Sequence, residues 1–257
     1  MFLDAPPSQM DLHFRVGGIP VRVHPYFWLV SLFLGMGADA EPVQTLIWVL
    51  AVFVSVLVHE LGHALAARAH GWEPSITLYG FGGFAAYAPT DDRPRSKVLI
   101  SAAGPAAGFA FALAVLLAIR LSGHAVGFAR STAPLDLRAL GVDVVIRQSL
   151  FGFDVFFAPF AARPTNLLIV DLLAVNIAWG AINLLPVYPL DGGQIARALL
   201  VATYPSTGIR QSLWLSACTA AALVVYAFAR GSFFMALLFG MLAYGSYVAL
   251  DRSSAAQ

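Results

Sequence analysis

The sequence is poor in charged residues and in cysteine. Only 11% of its 257 residues are Asp, Glu, Lys or Arg, whereas soluble domains carry about 25%. Because so few polar side chains cannot cover a sphere of this size, the composition excludes an ordinary soluble globule. Cys218 is the only cysteine, which excludes a disulfide framework and any metal site built from several cysteines.

Basic residues are scarce as well. The formal net charge is +1, and no basic run could follow a phosphate backbone, so we expect no nucleic-acid partner. Apolar residues are abundant instead: 59% of the chain is hydrophobic and the mean hydropathy is +0.77. The lipid bilayer is therefore the expected surrounding.

Long apolar runs indicate about six membrane spans, because roughly 20 apolar residues of helix cross a hydrocarbon core about 30 Å thick. We predict an all-α membrane protein of about six transmembrane helices. A short β-hairpin or sheet is expected beside the membrane, since residues 11–24 alternate apolar and polar around Gly17-Gly18. The predicted spans are Tyr26–Met36, Thr45–Ala69, Val98–Ile119, Leu167–Leu185, Gln211–Ala229 and Gly231–Leu250.

We expect one domain over residues 1–257. A membrane-surface β lead-in covers residues 1–25, spans one to three cover 26–120, a long and partly amphipathic loop covers 121–165, and spans four to six cover 166–257. The basic second loop predicts cytoplasmic termini by the positive-inside rule. The third loop opposes that orientation, because it carries four arginines: Arg130, Arg138, Arg147 and Arg163.

The strongest chemical signal is a His-Glu-Leu-Gly-His pentapeptide at residues 59–63, inside the second predicted span. Residues at positions i and i+4 share one helix face, so His59 and His63 can bind one zinc ion, with the Glu60 carboxylate beside it. The competing interpretation, two histidines bonded to neighbouring carbonyls, leaves Glu60 buried without a partner. We therefore predict a zinc site in this helix.

A catalytic zinc usually takes three protein ligands and leaves a fourth position open. His70 and Glu73 lie beyond the end of the helix and cannot fold back onto His59, and His124 is in a loop expected on the opposite side. Asp171 and Asp191 remain as candidates for the third ligand.

Asp191 follows a break in the fourth span. Pro186 and Pro189 each remove a backbone donor, and non-helical backbone at membrane depth is tolerated only where it is buried or lines a cavity. The break therefore indicates a wet pocket with Asp191 at its edge, before a new helix that starts near Gln194. Asp191 as a simple N-cap of that helix is the alternative.

These residues resemble the site-2 protease family of intramembrane zinc metalloproteases. The H-E-x-x-H motif matches at His59–His63, and the N-x-x-P-x-x-P-x-D-G pattern matches at Asn183–Gly192. The glycine-rich stretch at residues 79–84, Gly104-Pro105 and the lead-in at residues 18–28 also resemble the family. The chain shows neither the PDZ insert nor the CBS domain of larger members, so we expect the minimal six-span type.

The resemblance implies roles for individual residues. His59, His63 and Asp191 would bind Zn²⁺, and Glu60 would be the general base. Asn183 would stabilise the oxyanion or position the substrate, although a helix-to-helix hydrogen bond is the alternative for this side chain. The implied substrate is a transmembrane protein, such as an anti-sigma factor or a similar single-span regulator, cut during regulated intramembrane proteolysis. The implied location is a bacterial cytoplasmic membrane.

A transmembrane helix must unwind before it is cut, because its peptide bonds lie within its own hydrogen-bond ladder. The segment at residues 76–88 could receive the unwound chain as an added strand, with Gly82, Gly83 and Phe84 as substrate-binding residues. An ordinary re-entrant connector is the alternative. Asn176, on roughly the same helix face as Asn183, is a further candidate for substrate binding.

Two other functions fit the motifs. The first is a zinc-dependent membrane hydrolase that acts on a lipidated or small substrate. The second is a non-proteolytic zinc-binding membrane protein, either a carrier or an inactive homologue that binds helices. Glu60 separates these classes, since a carrier needs ligands but no base beside them.

Overall fold

The computed structural model describes residues 7–37, 41–80, 82–88 and 93–255 of the chain. Helices make up most of this part, and two small β-sheets complete it. The predicted architecture, a helical membrane protein with a short sheet, is confirmed.

Within the described residues, five helices are long and apolar enough to cross a bilayer. The first predicted span, Tyr26–Met36, corresponds to an 11-residue helix, which is shorter than the roughly 20 residues that a full span needs. The helices are α1 (Pro25–Gly35), α2 (Pro42–Ala69), α3 (Pro94–Leu121), α4 (Arg163–Asn183), α5 (Asp191–Thr203), α6 (Gly208–Ala229) and α7 (Phe233–Ala255). The five spanning helices are α2, α3, α4, α6 and α7.

The predicted hairpin is part of a four-stranded sheet. Gly17 and Gly18 have φ angles of 55° and 84°, a region that glycine enters without steric cost, so the chain turns tightly between the first two strands. The second strand pairs in parallel with the third, and the fourth strand forms one edge. The strands are β1 (Leu12–Val16), β2 (Ile19–Val23), β3 (Ser75–Tyr79) and β4 (Gly82–Ala86).

The long loop at residues 121–165 contains a second sheet, which the sequence patterns did not predict. Its strands are β5 (Val126–Arg130), β6 (Ile146–Leu150) and β7 (Phe153–Phe157), in the order β5-β7-β6. Val155 and Phe157 are two residues apart, so they lie on the same face of β7, and both are buried in a core shared with α3 and α4. The mixed polar and aromatic pattern of this loop therefore reflects a sheet with buried strands.

The first sheet packs against α1 and α2. The buried residues of this shared core are Ile19, Val21, Val23, Phe27, Val56, Ala64, Ile76 and Leu78.

The α2 and α4 helices begin on the same side, where Arg163 forms an ion pair with Glu41 at 3.0 Å. Glu60 is nine residues before Ala69 at the other end of α2, about 14 Å along the helix. The His-Glu-x-x-His segment thus lies in the half of α2 nearer the four-stranded sheet.

The predicted break after the fourth span is present. The α4 helix ends at Asn183 and α5 begins at Asp191, three residues earlier than expected. The intervening seven residues place Asp191 at the first position of a 13-residue helix.

Candidate metal centre

Three side chains from two distant segments meet in the interior. The Nε2 atom of His59 lies 3.1 Å from Oδ2 of Asp191 and 3.2 Å from Nε2 of His63, and His63 Nε2 lies 3.3 Å from Oδ1 of Asp191. All three residues are buried. Of the described residues, this is the group of His, Cys, Asp and Glu side chains that could hold a metal ion.

The spacing of these atoms fits zinc. A tetrahedral ion with ligand distances of about 2.0–2.1 Å has neighbouring ligand atoms about 3.3 Å apart. The three separations in the structure, two of which involve different oxygens of the Asp191 carboxylate, lie within a few tenths of an ångström of that value. Two imidazoles and one carboxylate are also a usual zinc donor set, and they leave a fourth position free.

Local structure explains how these residues meet. His59 and His63 are one turn apart on α2, so both rings leave the same helix face. Asp191 is the first residue of α5, and the chain reaches it only because α4 stops at Asn183. The N-cap alternative does not describe this residue, because the N-cap position is Leu190 and the Asp191 carboxylate faces the imidazoles.

The His63 ring is oriented by α3. Its Nδ1 atom lies 2.7 Å from the carbonyl oxygen of Ile100, and a carbonyl can only accept a hydrogen bond. Nδ1 therefore carries the proton, and the lone pair of Nε2 points to the other ligands. An outer hydrogen bond of this kind fixes the tautomer of a metal-binding histidine.

Gly104 on α3 makes room for both rings. A Cβ atom at this position would overlap the Nε2 and Cε1 atoms of His63 and would lie 2.8 Å from Nε2 of His59. Any larger residue would push the imidazoles away from Asp191. The sequence indicates Gly104 only as part of the Gly104-Pro105 pair, where helix packing is the expected role.

Glu60 lies between the ligands and the edge strand β4. It is buried, with 4% of its surface exposed, and a Cβ atom added to Gly83 would lie 2.5 Å from Cγ of Glu60. The strand approaches the carboxylate so closely only because Gly83 has no side chain.

The ligands and Glu60 open onto a cavity of about 390 Å³. Its wall is largely apolar and comes from β4, α3, α4, α5 and α7. The lining residues are His59, Glu60, His63, Gly83, Phe84, Ala85, Ala86, Tyr87, Ile100, Ser101, Trp179, Ile182, Asn183, Pro189, Leu190, Asp191, Gln194, Leu238, Phe239 and Leu242.

The two asparagines of α4 lie in different surroundings. Asn183 lines the cavity, and its Nδ2 donates to the Trp179 carbonyl at 3.0 Å, so a second N–H of the same amide stays available to the cavity. Asn176 is outside the lining, and its Nδ2 donates to Ser55 Oγ and to the Leu172 carbonyl, both at 2.8 Å. Asn176 thus joins α4 to α2.

Of the candidate substrate-binding residues on β4, some line the cavity and one does not. Gly83 and Phe84 line the cavity. Gly82 does not, and an added Cβ atom there would lie 3.1 Å from the Trp179 ring.

The remaining candidates for a third ligand lie elsewhere: His70 bonds to the Ala66 carbonyl, and His124 stacks on Phe160. Neither Glu73 nor Asp171 belongs to the group around His59.

Sequence reasoning missed the contribution of α7 to the cavity. Leu238, Phe239 and Leu242 line it, yet apolar residues in a spanning helix give no signal that separates a cavity wall from a lipid-facing surface. The Ile100 carbonyl gives no sequence signal either, since every residue has a backbone carbonyl.

Comparisons with known proteins show what the chain as a whole is similar to. The profile of peptidase family M50 matches residues 47–225. The zinc metalloprotease MJ0392 of Methanocaldococcus jannaschii is 27% identical over 194 residues, which cover 74% of this chain and 45% of that relative. The protein sll0528 of Synechocystis sp. is 30% identical over 207 residues, with the same coverages of 74% and 45%. The chain thus spans about half the length of these curated relatives.

Stage IV sporulation protein FB of Bacillus subtilis is a further relative, 25% identical over 189 residues that cover 73% of this chain and half of that protein. Among solved structures, the site-2 protease from Methanocaldococcus jannaschii matches with a TM-score of 0.56 and 21% identity, covering 93% of this chain and 95% of that one. At this identity the structural match shows a shared fold.

Proposed function

The chain belongs to peptidase family M50, and from that membership we propose that it is a zinc-dependent endopeptidase that hydrolyses peptide bonds in or next to transmembrane helices. One observation carries the proposal: the group formed by His59, His63 and Asp191 lies beside the buried Glu60 in a cavity within an integral membrane protein. A metal carrier needs the three ligands, but it does not need a carboxylate beside them.

Water at neutral pH is a poor nucleophile for an amide. A zinc ion held by His59, His63 and Asp191 would supply Lewis-acid chemistry, which polarises the scissile carbonyl and lowers the pKa of the attacking water to about 7. Glu60 accepts the proton of that water and later donates it to the leaving amine. Glu60 directly follows the proposed ligand His59 in the sequence, so its carboxylate lies close to the ligands.

Asn183 is the proposed oxyanion donor. The carbonyl oxygen of the substrate gains negative charge as water attacks, and a preorganised N–H aimed at that oxygen stabilises the transition state more than the ground state. The Trp179 carbonyl holds one N–H of the Asn183 amide, which leaves the second N–H in a defined direction at the cavity wall.

The substrate would bind β4 as an added strand. One side of β4 pairs with β3, and within the described residues no strand pairs with its other side. Gly83 lies against Glu60 and Gly82 against Trp179, and Gly83 and Phe84 line the cavity, so an extended segment bonded there would lie across the cavity. Main-chain pairing of this kind needs little sequence specificity. We propose only a supporting part for Asn176, because its bond to Ser55 joins α4 to α2 outside the cavity lining.

We further propose that the substrate is a single-span regulator, such as an anti-sigma factor, processed by regulated intramembrane proteolysis. The proposed location is a bacterial cytoplasmic membrane with both termini in the cytoplasm. Two observations support a membrane-protein regulator as the substrate: a cavity formed by spanning helices, and similarity to a sporulation protein. The proposed orientation rests on the basic second loop. Proteins that copurify with a Glu60→Gln variant and not with the wild type would identify the substrate.

The Glu60→Gln variant tests the proposal. We expect it to keep one zinc per chain and to lose cleavage of a single-span reporter carrying a fluorescent domain at each end. Glu73→Gln is the matched control, because Glu73 is exposed and outside the cavity, and it should cleave like the wild type. Undiminished cleavage by Glu60→Gln would remove this residue from the mechanism. A wild type that binds zinc but cleaves no reporter would favour a carrier or an inactive helix-binding protein.

A further inference from the structure

Two buried hydroxyl groups join the last two spanning helices. Ser216 on α6 is 0% exposed and Ser246 on α7 is 1% exposed, and their Oγ atoms are 2.7 Å apart, with either able to donate. Serine side chains in a membrane-spanning bundle commonly hydrogen-bond across neighbouring helices. Neither serine lines the cavity.

Ser216 has a second partner, which belongs to the loop that carries Asp191. The backbone N–H of Tyr188 donates to Ser216 Oγ at 2.8 Å. Tyr188 is three residues before Asp191 and forms part of the seven-residue connection between α4 and α5. Ser216 thus accepts a hydrogen bond from the segment that presents the third metal ligand.

Among the backbone N–H groups of this loop, only that of Tyr188 donates to a residue outside α4 and the loop itself. Pro186 and Pro189 have no N–H. The amides of Leu184, Leu185, Val187 and Leu190 all bond to carbonyls at residues 180–187. Tyr188 alone donates outside this local set.

Movement of Tyr188 would reach Asp191 through close packing. A Cβ atom at Gly193 would overlap the Tyr188 nitrogen, and one at Gly192 would overlap the Leu184 carbonyl. The loop therefore lies directly against the first turn of α5, where Asp191 is the first residue. The Arg197 guanidinium of the same helix stacks over the Tyr188 ring at 3.9 Å, which couples the two segments further.

We propose that Ser216 is a positioning residue for the metal ligand Asp191, and that Ser246 supports it by fixing the Ser216 hydroxyl from α7. The inference rests on the proposed zinc site and extends it to two helices that supply no ligand. Because α7 also lines the cavity through Leu238, Phe239 and Leu242, this proposal links the geometry of the metal site to a helix of the cavity wall.

Zinc release tests the inference without any measurement of activity. The full-length chain in lipid nanodiscs is loaded with zinc, and transfer of the metal to a chromogenic chelator is followed with time. Loss of a group bonded directly to a metal ligand costs about 10–100-fold in affinity. Ser216 acts on Asp191 through Tyr188, so we expect the lower end of this range, with zinc release from Ser216→Ala about tenfold faster. Ser216→Thr keeps the hydroxyl and should release it at the wild-type rate.

Ser55→Ala is the matched control. Ser55 is also buried in a spanning helix, and it accepts a hydrogen bond of 2.8 Å from another helix through Asn176. Ser55→Ala should lower the thermal midpoint about as much as Ser216→Ala, yet release zinc within about twofold of the wild type. Equal release from Ser216→Ala and Ser55→Ala would overturn the inference, because it would show only a general loss of packing.

Ser246→Ala provides a second variant if Ser216→Ala does not fold. It keeps the bond from Tyr188 but frees the Ser216 side chain to rotate, and we expect faster release that Ser55→Ala does not show. Wild-type release from Ser246→Ala would contradict the part assigned to α7. Failure of the proposed function would look different, since the wild type itself would then retain no zinc or cleave no reporter.

Discussion

The Nδ1 atom of His63 lies 2.7 Å from the carbonyl oxygen of Ile100. The bond fixes which nitrogen of the ring carries the proton, and it makes α3 responsible for the orientation of a proposed ligand that α2 supplies. The same helix brings Gly104 against both imidazoles. Accurate packing of α2 on α3 is thus a condition for the metal site.

Substitution of Gly104 tests this condition. In Gly104→Ala the new methyl group overlaps His63 and crowds His59, so the two rings must move apart. We expect zinc affinity to fall by about tenfold or more, measured by competition with a chelator of known affinity. Gly108→Ala is the control one turn along α3, because its Cβ atom would have no neighbour closer than 3.5 Å. Equal zinc affinity in both variants would contradict the packing condition.

Substitution of Gly83 distinguishes an effect on the base Glu60 from an effect on zinc binding. A methyl group in Gly83→Ala lies 2.5 Å from Cγ of Glu60, so the strand or the carboxylate must shift. A misplacement of about 1 Å can cost about 100-fold in rate, and we expect a loss of that order in reporter cleavage with zinc content unchanged. Gly80→Ala is the comparison, since its Cβ atom would meet a Val30 methyl group at 3.2 Å, which can move. Cleavage at the wild-type rate by Gly83→Ala would mean that β4 does not hold Glu60 in place.

Removal of the Asn183 amide tests the oxyanion assignment. We expect Asn183→Ala to lower kcat by about 100–1000-fold, the usual effect of losing one oxyanion donor, while one zinc per chain is retained. Asn176→Ala removes an amide outside the cavity lining, so any effect on cleavage should appear in KM. A large fall in kcat for Asn176→Ala, or none for Asn183→Ala, would reverse the two assignments.

The stability of the second sheet depends on pH through one carboxylate, that of Asp154. Hydrogen bonds of 2.6 Å from the Ser131 and Ser149 hydroxyls lower the pKa of Asp154 below its usual value, and Arg147 adds to this effect. Because the folded-state pKa is lowered, the stabilisation is present above the unfolded-state pKa of about 3.9 and is lost as pH falls through the folded-state value. The protection factors of the β7 amides, which take account of the slower intrinsic exchange in acid, should therefore decrease in acid in the wild type. In Asp154→Asn they should be lower at neutral pH and change less in acid, and identical profiles would remove Asp154 from this role.

The predictable part of the site came from local spacing. His59, Glu60 and His63 lie within five residues, where helix geometry alone fixes which side chains meet. Asp191 is far away in the sequence, but two prolines in an apolar span marked a break that needs a polar cavity. The hairpin at β1 and β2 was predictable for the same reason, since a glycine pair lies between two alternating runs.

The remaining features depend on contacts between distant elements. From the sequence, Gly104 is expected only to pack helices, because its contact with the histidines depends on how α3 packs on α2. The Ser216 bond to Tyr188 likewise depends on the contact between α6 and the α4–α5 loop. The β5–β7 sheet was missed because its strands are five residues long and only β7 has a mostly buried pattern. Alternation over so short a length does not separate a strand from an amphipathic surface segment.

Zinc content of purified variants tests the central claim most directly. Elemental analysis of the full-length protein should find one zinc per chain in the wild type and in Asp171→Ala, and far less in His59→Ala, His63→Ala and Asp191→Ala. Asp171 is the informative control, because it is an aspartate of α4 that lies outside the ligand group. Full zinc content in Asp191→Ala, or an equal loss in Asp171→Ala, would contradict the assignment of His59, His63 and Asp191 as the three ligands.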